Sequence, residues 1–313
     1  MDRRRINGPP GGTSVPVYSN LDDDGAADTR RRPKRTRTPG AQRKMFLKTG
    51  VTPSASGSAY LEFSIPKTPL KEVVPGLSSL LTSGLKLTCT VHGPRPLPRS
   101  APFSPHIILT THVKFAPFAT RKRRGYLRDA TERDLSVHLE TALRGVIIGD
   151  RWPKSGMEVI ITILEGEEDY WWGDCLRQGA TTVDDWGMMS VLSGCITVAS
   201  AAIADAGIDC LDVVAGGIAA IVEDEPNLPT LVLDPVPSEH QNILAACVVA
   251  YFPSQDEITD LWAKGEMGFK NSNLCRGISF EDLMDNAVQA ALGSHRVLVA
   301  SLKETAETKK NRI

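Results

Sequence analysis

From Met45 onward the apolar and polar positions of the chain follow two rhythms. Ser58-Ala59-Tyr60-Leu61-Glu62-Phe63-Ser64-Ile65 alternates and is rich in β-formers, and Leu85 to His92 and Ile107 to Phe115 behave the same way. The alternation predicts three strands. Three prolines, Pro66, Pro69 and Pro75, mark an inserted connection between the first two. The period then changes. Leu135, Leu139, Leu143 and Val146 recur at helical spacing, which predicts a helix over Asp129 to Ile148 with Asp129 and Thr131 as caps. A strand follows at Met157 to Leu164. Gly187 to Ala206, rich in Ala, Met, Leu and Ser, reads as a buried helix closed by Gly207. Strands at Val213 to Val222, Leu231 to Leu233 and Ala246 to Phe252 precede a last helix, about Ser279 to Thr305. That helix opens with a Ser-x-x-Asp capping box at Ser279 and Asp282. This order predicts an α+β fold of mixed sheets packed with helices. No short internal repeat is visible, which excludes a solenoid.

Two segments break the rhythm. Glu165 to Trp186 holds Glu167, Glu168, Asp169, Asp174, Asp184, Asp185 and three tryptophans. It reads as an acidic, Trp-rich surface insertion that packs down or meets a partner, with base stacking as the other role open to it. Residues 1–45 are rich in Gly, Pro, Arg and Asp without apolar periodicity, so a disordered basic arm is expected, followed by one domain over 46–313. The run Arg30-Arg31-Arg32-Pro33-Lys34-Arg35-Thr36-Arg37 is the densest positive charge in the chain. It reads either as a nuclear-localisation or RNA-contacting segment or as a solvated tail.

Charge sharpens this division. The net charge is −1, yet residues 1–48 carry twelve Lys and Arg against five Asp and Glu, so the remainder is acidic. A basic arm on an acidic body suits nucleic acid or an acidic protein surface and excludes a uniformly basic coat protein. The longest apolar run, Ile243 to Phe252, is short for a membrane span. Met1-Asp2-Arg3-Arg4-Arg5 leads into Gly and Pro rather than an apolar stretch, so neither a signal peptide nor a membrane partner is expected. The six cysteines are scattered without zinc-ligand spacing, and several lie in apolar runs, which fits a reducing compartment.

The common catalytic motifs fail. There is no phosphate-cradling Gly-x-x-x-x-Gly-Lys-Ser/Thr, no Gly-x-Ser-x-Gly elbow and no His-Glu-x-x-His, and the six histidines form no metal-ligand pair. No metal or cofactor is expected. What remains is a series of segments: Ala55-Ser56-Gly57-Ser58-Ala59-Tyr60-Leu61-Glu62, Val91-His92-Gly93-Pro94-Arg95, Ala116-Pro117-Phe118, Ile203-Ala204-Asp205-Ala206-Gly207-Ile208, Val213-Val214-Ala215-Gly216-Gly217-Ile218 and Leu231-Val232-Leu233-Asp234. In this order and spacing, over about residues 45–305, the chain resembles the RNase PH family. The resemblance implies that family's fold, ribosomal-protein-like β-α-β units with mixed sheets. The opening residues and long insertions are similar to those of its ring-forming members in the RNA exosome.

Active members of the family degrade RNA from the 3′ end by phosphorolysis. This chemistry needs a cationic pocket for phosphate and an acid for the leaving oxygen. The resemblance places Leu192 where the phosphate arginine stands, and no Arg or Lys lies between Gln178 and Ala250. It places His240 and Ala246 where two catalytic carboxylates stand; Asp234 is present, but its counterpart is mainly structural. Leucine offers neither charge nor a hydrogen-bond fork. A non-enzymatic member is therefore expected, with no catalytic residues.

The basic loop Arg121-Lys122-Arg123-Arg124-Gly125-Tyr126-Leu127-Arg128 is different, with five cations in eight residues. In the resembling ring proteins it faces a central pore, which nominates Arg121, Arg123, Arg124, Arg128 and Arg133 for sequence-independent contact with single-stranded RNA. A solvated turn or a salt-bridged subunit interface is the plainer reading. The implied partners are other RNase PH-like exosome ring subunits, exosome cap RNA-binding subunits, single-stranded RNA and a separate catalytic exoribonuclease. The implied setting is the nucleus, nucleolus and cytoplasm. An active phosphate-dependent 3′-to-5′ exoribonuclease and a free-standing RNA-binding protein are the competing readings.

Overall fold

The computed structural model describes residues 35–64, 84–120, 123–125, 127, 129–167, 186–225, 228–240, 242–265 and 278–311. Nine strands and three long helices alternate along these residues. They are β1 (Met45–Thr49), β2 (Gly57–Phe63), β3 (Lys86–Pro96), β4 (Ile108–Phe115), α1 (Ala130–Arg144), β5 (Ser155–Glu165) and α2 (Trp186–Asp205), followed by β6 (Ala215–Glu225), β7 (Leu228–Leu233), β8 (Ile243–Phe252), β9 (Glu257–Gly265) and α3 (Phe280–Lys310). One sheet has the order β1-β2-β3-β5-β4 and the other β7-β6-β8-β9. All pairs are antiparallel except β4 with β5, which α1 connects as a crossover.

α2 is the centre of the molecule. Every residue from Gly187 to Ile203 is buried, because one side of the helix meets the first sheet and the other meets the second. Its length and hydropathy would suit a membrane span, but 94% of that window is buried inside the fold, as expected of a core helix. Close approach is made possible by β6. A Cβ on Gly216 would lie 2.2 Å from the Ser193 carbonyl of α2, and one on Gly217 would lie 2.2 Å from the Ala287 carbonyl of α3. Consecutive strand residues face opposite ways, so this glycine pair seats one helix on each face of the second sheet. β8 follows the same logic: Ala246, Val248, Ala250 and Phe252 join the core around α2, whereas Ala245, Cys247, Val249 and Tyr251 join the core under α3. Cys89, Cys195 and Cys247 are free and buried, small apolar packing residues whose thiols burial pushes up.

Helix side chains occupy two sheet edges. On β4, the Val113 N–H donates to Ser136 Oγ at 3.1 Å and the Phe115 N–H to Glu132 Oε1 at 2.9 Å. Glu132 is buried, and its other oxygen accepts from the Asp129 N–H at 3.2 Å, capping α1. On β1, Ser301 Oγ donates to the Leu47 carbonyl at 2.9 Å. Backbone groups met in this way are not offered to other chains.

The helices agree with the sequence reading: α1 buries Leu135, Leu139 and Leu143, Gly207 has a φ of 71° after α2, and Ser279 caps α3 with Asp282. Three expectations need correction. β9 was not expected, because its pairing with β8 skips Thr259 and the bulge breaks the alternation that marks a strand. Of the segment expected as an arm over 1–45, residues 35–44 are held to the domain, for reasons given below, and residues 1–34 lie outside the described residues. Of the segment expected as an insertion, Glu165 belongs to β5 and Glu167 is buried, so these two are part of the fold. The prolines 66, 69 and 75 and most of the Trp-rich segment lie outside the described residues. Trp186 opens α2 and packs against the core.

Candidate nucleic-acid interface

The basic loop is pinned where it leaves β4. The Ala116 N–H donates to the Ile163 carbonyl and the Gly166 N–H to the Ala119 carbonyl, both at 2.9 Å, so the loop's first residues are tied to the end of β5. The Arg124 N–H donates to the Pro117 carbonyl at 3.3 Å. The Arg124 guanidinium lies 4.0 Å from the Phe115 ring centroid and 3.4 Å from Asp129 Oδ2. Arg124 therefore stitches the loop to β4 and to the start of α1 while keeping a partly exposed cation. Arg123 and Arg133 are exposed. Arg133 stands near the N-terminus of α1, where the helix dipole disfavours a cation and favours an anion beside it. Arg121 and Arg128 lie outside the described residues. Of the five nominated arginines, then, two are freely presented and one has a structural duty as well.

A second constellation was invisible in the sequence. Asp234 sits in a left-handed conformation with φ of 50° after β7 and is buried. Its Oδ2 accepts from the Arg43 main-chain N–H and from Arg43 Nε, both at 2.8 Å, and its Oδ1 accepts from Arg43 Nη2 at 2.7 Å. Arg37 Nη1 adds a bond at 2.9 Å, and Arg37 Nη2 reaches Glu239 at 2.8 Å. Arg43 Nη1 pairs with buried Glu167. Arg35 donates to the carbonyls of Leu233 at 2.9 Å, Ala41 at 2.8 Å and Asp234 at 3.2 Å. Two guanidiniums, Arg37 and Arg43, thus meet three carboxylates, and a third, Arg35, holds the surrounding main-chain carbonyls.

Burial opposes ionisation of Asp234, but Arg43, through its charge and its hydrogen bonds, and Arg37 outweigh it and hold this carboxyl far below the usual range. Arg43 is likewise raised above its ordinary value: burial works against its charge, and Asp234 and Glu167 more than offset that. Burial pushes Glu167 up. Burial and the neighbouring Arg37 lower Arg35 to about 10. This cluster is why residues 35–44 are ordered. Arg35 and Arg37, assigned to a free basic run, are consumed as an internal clamp.

The two positions that the family resemblance assigns to phosphorolytic chemistry, Leu192 and Ala246, are apolar and buried. Leu192 is 0% exposed and Ala246 2%, and both belong to one apolar cluster around α2. His240 is buried with Nδ1 2.8 Å from Asp224 Oδ2, and burial lowers its pKa. Ser190 Oγ donates to the Pro235 carbonyl at 3.2 Å. At the start of α2, Lys264 Nζ lies 5.4 Å from the Trp186 ring centroid. Among the described residues no three His, Cys, Asp or Glu side chains converge as a metal site.

Comparison with known proteins places this architecture. Residues 41–209, from just before β1 to just after α2, match RNase PH, the 3′ exoribonuclease family, domain 1. The chain belongs to this family. It is 55% identical to the exosome complex component MTR3 of Chaetomium thermophilum over 306 residues, covering 97% of this chain and 99% of that protein. It is 29% identical to mtr3 of Schizosaccharomyces pombe over 84% of both chains, and 29% identical to human MTR3 over 87% of this chain and 86% of that one. The fold also matches the crystal structure of rice Rrp46, with a TM-score of 0.57 and 17% identity over 85% of this chain and 98% of that one. Within the RNase PH family segment lie the pinned loop, Arg43 and Glu167; Asp234 and Glu239 come after it. Asp234, Arg35, Arg37 and Glu167 had been noticed from sequence, but in other roles, and Arg43 and Glu239 had not. No local signal could reveal the rest, because the partners of Arg43 are 124 and 191 residues away.

Proposed function

We propose that this chain is a non-catalytic ring subunit of the RNA exosome that supports RNA 3′-end processing and 3′-to-5′ degradation. In this reading it scaffolds the ring and lends its basic loop to the wall of an RNA channel. The observation that carries the non-catalytic part is the burial of both Leu192 and Ala246 in one apolar core. A phosphate oxyanion cannot be held by leucine and alanine in an apolar interior, because an uncompensated buried charge is too costly. The likeness to MTR3 proteins supports the ring assignment, and the exposed Arg123 and Arg133 support RNA contact.

The partners that follow are other RNase PH-like ring subunits, cap RNA-binding subunits, single-stranded RNA and a separate exoribonuclease. The nucleus, nucleolus and cytoplasm are the compartments where such an assembly would act. Ring contacts of this kind should bury upward of roughly 2,000 Å² each, the obligate class.

The test is affinity purification of the tagged chain, followed by incubation of the purified chain with RNA and inorganic phosphate. Copurification of related ring proteins and no nucleoside diphosphate release are expected. A stable micromolar monomer without such partners would remove the ring assignment. Phosphate-dependent RNA loss with nucleoside diphosphate release by the purified chain alone would favour the active exoribonuclease instead.

A further inference from the structure

The turn that leaves β4 presents an exposed aromatic ring that packs into neither core among the described residues. Ala116-Pro117-Phe118-Ala119 closes with the Ala119 N–H donating to the Ala116 carbonyl at 2.9 Å, and Pro117 occupies the position whose φ such a turn requires. The three further backbone bonds described above tie the turn to Ile163, Gly166 and Arg124. Its corner side chain, Phe118, is 75% exposed and belongs to neither core cluster. Scattered exposed apolar residues are ordinary. A phenyl ring fixed at the corner of a tethered turn is more specific, because it loses little conformational freedom when a partner lands on it.

The surroundings select the partner. The bond from Arg124 to Pro117 sets Arg123 and Arg124 beside the turn. From Arg121 to Arg128 the chain has five cations and no carboxylate. A protein pocket that swallowed Phe118 would have to strip water from these charges, whereas a polyanion with flat aromatic faces satisfies both features together. We propose that Phe118 is a stacking platform for an unpaired RNA base. The proposal rests on the reading of this loop as an RNA contact. It adds an apolar, sequence-tolerant component to the phosphate contacts, since every base offers a π-face.

The experiment uses the assembled complex carrying Phe118→Ala, Phe118→Leu or Phe118→Trp and labelled oligoadenylate and oligouridylate as probes. Leucine keeps the apolar bulk and removes the flat ring. Both Phe118→Ala and Phe118→Leu should lower affinity at least about fivefold, the scale of one aromatic–base stack. Phe118→Trp should retain affinity, and its added fluorescence should be quenched by oligoadenylate. The salt dependence should not change in any of the three, because no phosphate contact is lost. Wild-type affinity in Phe118→Leu overturns the platform. So does loss of ring partners in Phe118→Ala with RNA affinity retained by what assembles, which would make Phe118 a protein anchor. A parallel Arg123→Ala/Arg133→Ala complex separates the premise: an unchanged salt slope there removes the phosphate reading of the loop, whatever Phe118 does.

Discussion

Arg43 grips Asp234 across 191 residues of sequence with its main-chain N–H, its Nε and one terminal nitrogen. The bidentate side-chain fork fixes geometry as well as charge, and the main-chain bond fixes where the chain enters β1. The entry of the first sheet is thereby fastened to the end of β7 in the second. Residues 35–44 are a structural part of the domain, and their arginines are unavailable to nucleic acid.

Removing one partner of this buried pair should be severe. Arg43→Ala and Asp234→Ala are each expected to destabilise the fold by about 3–5 kcal/mol, because each leaves an uncompensated buried charge. The double substitution Arg43→Ala/Asp234→Ala should be less damaging than the sum, since both charges of the pair leave together and Glu167, losing its cation, is held neutral by burial. Urea or thermal unfolding of the four proteins checks this; additive losses would show that the two residues are not coupled.

The pH dependence follows from the same pair. Asp234 has a folded pKa far below its unfolded value, so its stabilisation is present above roughly pH 4 and is lost as pH falls below that. Glu167 is shifted upward, so its contribution runs the other way: it is fully present at acid pH and is lost as pH rises through the folded pKa. Asp234→Asn should flatten the acid limb of a stability–pH curve and leave its neutral-to-basic limb in shape. An unchanged acid limb would contradict the ionised pair.

Placing at Leu192 and Ala246 the charges that the family resemblance assigns there should not create an enzyme. Leu192→Arg and Ala246→Asp would each place an ion in the core around α2, at a cost of about 3 kcal/mol or more. Loss of soluble protein is the expected result for each. A folded Leu192→Arg/Ala246→Asp protein that released nucleoside diphosphates would mean that the pocket is open and only lacks its groups.

Local order was readable and distant order was not. The spacing of Leu135, Leu139 and Leu143 gives the face of α1, and Ser279 with Asp282 gives the start of α3, because caps and helix faces are decided within one or two turns. β9 escaped because one bulge at Thr259 destroys a period of two. The candidate loop was visible as charge alone. Nothing in the sequence announced that Arg124 would lie over Phe115 and be half-committed to structure, or that Arg35 and Arg37 would fold inward. Such fates are set by partners that only the assembled sheets bring near.

The arginines of the loop should accordingly differ from one another. Arg123 and Arg133 are exposed and hold no fold contact that the loop depends on, so Arg123→Ala/Arg133→Ala should leave folding and ring assembly intact. If each meets one phosphate, the slope of log affinity against log salt should shrink by about 0.7 per residue for a single strand, almost equally for all sequences. Arg124→Ala should do two things at once. It should weaken RNA binding and also loosen the loop by about 0.5–1 kcal/mol through the lost contact with Phe115. Arg124→Lys keeps the charge but lacks the flat guanidinium that covers the ring, so it should restore the salt slope more fully than the loop's resistance to proteolysis. Titration of each complex with labelled oligoadenylate at several salt concentrations, beside a protease time course, resolves the two roles. Disassembly of the ring by Arg123→Ala/Arg133→Ala, with RNA affinity preserved, would instead make these residues part of a subunit interface.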